Sequence, residues 1–130
     1  MKVVFGDSLD LGIALAALIN ETVSKDEIGK WAARVIDDMD DPPEYIYTML
    51  DLEGYHGRGL RHDIEFAPTT GLESEDEFQY LREVAVRRGF QERPFLGGKK
   101  LTNLSSERKQ FIDGLLYENF EFIVNDLPPI

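Results

Sequence analysis

Hydrophobic positions from Leu9 to Ile123 fall into stripes of helical period, parted by breaks rich in glycine and proline. The clearest stripe is 24–39. Ser24 and Glu27 stand at capping-box spacing, and Ile28, Trp31, Ala32, Val35, Ile36 and Met39 then recur every three or four residues. This spacing predicts a helix with Trp31 in the core and Lys30, Arg34, Asp37 and Asp38 outside. Segment 8–22, capped by Asp7 or Ser8, is apolar on nearly every side through Leu9, Leu11, Ile13, Leu15 and Leu18. It predicts a helix surrounded by others. Asp41-Pro42-Pro43-Glu44 stops one helix and starts the next, because first-turn N–H groups have no intrahelical partner to lose. Ile46, Met49 and Leu50 form the short stripe that follows, ending near Gly54.

From Gly54 to Gly71 the pattern fails, apart from one short strand-like or helical piece at His62–Phe66. Ser74 and Glu77 repeat the capping-box spacing before Phe78, Leu81, Val84 and Ala85, and Arg87-Arg88-Gly89 closes that helix. Phe90 to Asn103, holding Gly97-Gly98, is expected to form a short β-hairpin at most. Ser105 or Ser106 caps a last helix carrying Phe111, Ile112, Leu115, Leu116, Phe120 and Ile123. The expectation is an all-α single domain, 1–130, of about five helices.

Composition agrees with a globular chain: 130 residues suffice for one core without metal or disulfide staples. There is no Cys, which excludes disulfides, thiolate catalysis and cysteine-ligated zinc. Met1-Lys2-Val3-Val4-Phe5-Gly6-Asp7 lacks the order of a secretory signal. The longest apolar run, Leu11 to Ile19, is about half a bilayer span. A soluble, cytoplasmic, monomeric protein is expected.

Charge changes the picture. The net charge is −11, and Asp37, Asp38, Asp40, Asp41, Glu44, Asp51 and Glu53 stand together with no Lys or Arg among them. Like charges this dense repel one another, so a cationic partner lowers the free energy of the surface it covers. These carboxylates, with Glu73, Glu75 and Asp76, are therefore the expected partner-binding residues. Tyr45 and Tyr47 lie off the Ile46–Met49–Leu50 stripe inside the acidic block and are expected to act as aromatic anchors. Nucleic acid and anionic membrane are unfavourable partners for such a chain.

Other chemistries find little footing. His56 and His62, near Asp63 and Glu65, match no zinc spacing. Asp37–Asp41 runs into Pro42-Pro43 where a calcium loop needs its glycine turn. No glycine pattern before Lys99-Lys100 makes a phosphate loop. A catalytic carboxylate pair needs a desolvated cleft, whereas a dense acidic run favours solvent. No catalytic residue, cofactor or metal is expected. The stretch Leu81–Thr102 resembles the wing of a winged helix-turn-helix protein, with Arg87, Arg88, Arg93, Lys99 and Lys100 toward phosphate. Against that, residues 66–130 hold 11 acids to 8 bases.

The segment Ile28-Gly29-Lys30-Trp31-Ala32-Ala33-Arg34-Val35-Ile36, the acidic break, and Pro43-Glu44-Tyr45-Ile46 together resemble small bacterial immunity proteins. Those proteins protect cells from polymorphic or contact-dependent growth-inhibition toxins. The resemblance spans about residues 20–55. It implies a non-enzymatic inhibitor that binds a cognate toxin's C-terminal domain, often a basic nuclease. A helical regulatory or adaptor protein is the alternative, and a winged-helix transcription factor a more distant one.

Overall fold

Six α-helices run through residues 1–54, 59–90 and 104–121, the parts of the chain that the computed structural model describes. They are α1 (Leu9–Ile19), α2 (Lys25–Asp38), α3 (Glu44–Met49), α4 (Leu60–Ile64), α5 (Glu75–Arg87) and α6 (Ser106–Asn119). Among the described residues there is no strand, only an isolated antiparallel bridge between Val4 and Asp7. The all-α expectation holds. The ambiguous piece near His62–Phe66 is the short helix α4, and the expected hairpin falls on residues 91–103, outside the described part.

Local signals explain most boundaries. Ser24 Oγ accepts from the Glu27 N–H at 3.1 Å, and Glu27 Oε1 accepts from the Ser24 N–H at 2.9 Å, so α2 opens on a complete capping box. Ser105 caps α6 by accepting from the Arg108 N–H. At the end of α5, Gly89 takes a positive φ of 78°, Phe90 N–H donates to the Ala85 carbonyl and Gly89 N–H to that of Val86. This double closure satisfies carbonyls that would otherwise lack donors.

Two expected caps are not made. Ser8 precedes α1, yet its Oγ accepts from the Thr69 N–H at 3.0 Å and so ties the 66–72 segment to α1. Ser74 makes no side-chain cap to α5: the Glu77 N–H donates to the Ser74 carbonyl at 3.1 Å, the Ser74 hydroxyl donates to Glu77 Oε2 at 3.5 Å, and Arg108 donates to Glu77 Oε1 at 2.5 Å. A charged hydrogen bond outweighs a neutral cap.

The core joins Leu11, Ile13 and Ala14 of α1 with Ile28, Trp31 and Val35 of α2, Ile46 and Met49 of α3, Leu81 and Val84 of α5, and Ile112 and Leu116 of α6. Trp31 is 2% exposed, as its stripe requires. Its Nε1 donates to Asn119 Oδ1 at 2.9 Å, and Asn119 Nδ2 donates to Asp10 Oδ1 at 3.0 Å. Three helices thus share one buried polar junction. Gly12 and Gly29 let backbone approach: a Cβ at Gly12 would meet the Thr69 carbonyl oxygen at 1.9 Å, and one at Gly29 the Leu50 carbonyl oxygen at 2.7 Å.

Two stripe positions and one side of α1 depart from expectation. Leu50 and Phe111 are largely exposed, the latter lying under the Arg108 guanidinium at 4.6 Å. Helix α1 is not enclosed: Leu15 and Leu18 are half-buried and Ile19 is exposed.

Candidate functional site

The acidic block occupies the end of α2, the link to α3, α3 itself and the turn beyond it. Asp37 and Asp38 stand in the last turn of α2, Asp40 and Asp41 in the link, Glu44 in the first turn of α3, and Asp51 and Glu53 after it. All seven are exposed. Direct packing of α2 on α3, with Gly29 against the Leu50 carbonyl, makes one continuous surface of these segments.

No cation neutralises that surface among the described residues. Arg34 lies one turn before Asp38, the spacing of a helical ion pair. Its guanidinium instead reaches α6, donating to the Glu118 carbonyl at 2.7 Å and weakly to that of Asn119. There it meets the negative end of the α6 dipole and binds α2 to α6. Lys30 pairs with Asp26 in the first turn of α2. The end of α2 thus carries two carboxylates and no base, each unfavourable against the helix dipole by about 0.3–1 kcal/mol.

The two tyrosines separate. Tyr47 is 49% exposed on α3 and available as an anchor. Tyr45 is not: its hydroxyl donates to the Val3 carbonyl and its ring stands edge-on to Phe66 at 6.1 Å. Burial raises its hydroxyl pKa above the ordinary value. Tyr45 therefore holds the N-terminal segment onto α3.

The second acidic group behaves differently. Glu73 approaches Arg108 at 3.9 Å and Glu75 approaches Arg82 at 3.6 Å; Asp76 is exposed. Glu77, absent from the expected contact set, is buried and is the residue that matters here. The Arg108 hydrogen bond holds its carboxyl below the ordinary value against the opposing effect of burial. Arg108 also donates to the Gly71 carbonyl at 3.0 Å, joining α5, α6 and the 66–72 segment.

Arg87 and Arg88 do not face outward as phosphate contacts would. Arg87 pairs with Glu83 at 3.7 Å. Arg88 donates to both Glu27 oxygens, at 2.8 and 2.5 Å, and to the Thr22 carbonyl at 2.7 Å. Burial pushes the Glu27 carboxyl up, but Arg88 and the Ser24 N–H outweigh it, leaving a lowered pKa. These contacts fasten α5 to the start of α2. Arg93, Lys99 and Lys100 lie outside the described residues, as does His56; His62 is exposed.

Sequence reasoning missed an apolar groove of about 610 Å³ over α1, bordered by α4, the 66–70 segment and α5. Its signal was present in α1, which is apolar on more sides than its neighbours cover. Among the described residues, no three His, Asp or Glu side chains gather as a metal-binding group, and no helix is long and apolar enough to cross a membrane. No protein-family model, curated protein or solved structure matches this chain.

Proposed function

We propose that this chain is a non-enzymatic inhibitor of the immunity type, which neutralises a basic, nuclease-like toxin domain by covering it with the α2–α3 acidic surface. One observation carries the reading: all seven carboxylates between Asp37 and Glu53 are exposed with no cation beside them among the described residues. Elsewhere Glu27, Glu75, Glu77 and Glu83 each stand beside an arginine. A nuclease holds phosphate with Lys and Arg, and carboxylates set in the phosphates' places would occlude that groove. Attraction over this range speeds encounter and weakens with salt. Tyr47 supplies the apolar anchor that slows dissociation. The resemblance of residues 20–55 to immunity proteins points the same way.

The test is growth of cells producing the toxin domain encoded beside this gene, with and without this chain. The parent chain should restore growth. Changing Asp37, Asp38, Asp40 and Asp41 together to Asn preserves shape and should abolish protection, while Tyr47→Ala should raise the dissociation rate. Absence of a neighbouring toxin gene, or full protection by the fourfold variant, would overturn the reading.

A further inference from the structure

The uncovered face of α1 has a chemistry of its own, separate from the acidic surface: no carboxylate of 37–53 lines it. Leu15, Ala16 and Ile19 form its floor, Phe66 and Ile64 one wall, and Phe78 the other. The groove exists because Gly12 has no Cβ, which allows Thr69 and Thr70 to lie against α1 and raise the wall beside Leu15. Ile19, 78% exposed at the open end, is a large apolar side chain left in water. A volume of about 610 Å³ falls in the range, roughly 300–1,000 Å³, that encloses one small organic ligand.

Two cations stand at the rim, Arg61 on α4 and Arg82 on α5. Arg82 is already engaged, donating to Asn20 Oδ1 at 3.0 Å and facing Glu75 at 3.6 Å. Arg61 is not. Arg34, Arg82, Arg87, Arg88 and Arg108 each make a hydrogen bond or ion pair within the fold; Arg61 alone among the described arginines makes neither. In a chain of net charge −11, a guanidinium with neither a carboxylate nor a carbonyl beside it is the exception. Arg82 and Glu75 offset one another, so among the described residues the groove keeps a single uncompensated positive charge beside an apolar lining.

We propose that this groove binds a linear aliphatic carboxylate of the fatty-acid type, with its chain over Leu15, Ile19 and Phe78 and its carboxylate at Arg61. A guanidinium pairs with a carboxylate through two parallel hydrogen bonds, and one free charge matches a monoanion. Each methylene withdrawn from water strengthens binding about fourfold.

Decanoate, titrated below its micelle concentration into the whole chain, tests this by calorimetry and by amide chemical shifts. Saturable binding of one molecule is expected, with shifts at Leu15, Ile19, Arg61 and Phe78. Octanoate should bind roughly fifteenfold more weakly through its two missing methylenes. Decyltrimethylammonium, with the same tail and opposite charge, should bind at least tenfold more weakly than decanoate. Arg61→Gln, on an exposed side chain, should weaken decanoate about tenfold without moving the melting temperature. Absence of one-to-one binding, equal binding of the cationic analogue, an unaltered Arg61→Gln variant, or shifts confined to residues outside the groove each overturn the assignment.

Discussion

The end of α2 and the junction of α5 with α2 and α6 are both acidic, yet they use their carboxylates in opposite ways. At the junction, Glu27 is fastened to Arg88 and Glu77 to Arg108, and each pair joins elements distant in sequence. At the end of α2, Asp37 and Asp38 are exposed and pair with no base among the described residues, while Arg34, one turn earlier, is spent on the α6 carbonyls. Charge density therefore does not distinguish a structural carboxylate from an available one. The position of the arginines does. At the junction charge supports the fold; on the α2–α3 surface it opposes the fold.

The contrast can be broken most severely through α2, which has both a buried stripe and the bare acidic end. Trp31→Ala removes the largest side chain of that stripe and strands Asn119 Oδ1, and should lower unfolding free energy by about 3–5 kcal/mol in urea titrations. Glu27→Gln removes the ionic contact between Glu27 and Arg88 and should cost about 2 kcal/mol by the same measurement. A loss too small to detect would mean that the junction charges are as idle in the fold as those of the α2 end.

Acid supplies a finer division. The folded pKa values of Glu27 and Glu77 lie below the ordinary 4.5, so their contribution is complete above that value and disappears as pH falls through the lowered folded values. Stability followed by circular dichroism from about pH 6 to about pH 3 should decline more gently in a Glu27→Gln, Glu77→Gln double variant than in the parent. An identical decline in both proteins would remove these two groups as its source.

The smallest effect carries the opposite sign. Asn at 37, 38, 40 and 41 relieves mutual repulsion and the conflict with the α2 dipole, so the unbound variant should gain up to about 1 kcal/mol, less as salt is added. A melting temperature below the parent's would show that these carboxylates support the fold, and the comparison would collapse.

Much of this molecule was legible along the chain because its signals are local. The Ser24–Glu27 box, the Trp31 stripe, the Pro42-Pro43 break and the Gly89 closure each depend on residues within a turn or two, and each appears where periodicity places it. Density of acid between 37 and 53 was legible for the same reason, as was its exposure, since these carboxylates fall off the Ile46–Met49 stripe that is buried. What required the tertiary structure was the pairing of groups far apart in number. Arg88 meets Glu27 across 61 positions, Arg34 meets Glu118 across 84, and Trp31 meets Asn119 across 88. No spacing rule reaches so far, so sequence alone could not separate Glu77, held by Arg108, from Asp37, which pairs with no base among the described residues. Tyr45 went to the Val3 carbonyl for the same reason: a hydroxyl goes to whichever unpaired acceptor the fold sets beside it. The groove over α1 belongs to this second kind as well. Sequence determined that α1 is apolar around most of its circumference; only the packing of α4, α5 and the 66–70 segment decided which side stays open, and that Arg61 stands there without a partner among the described residues.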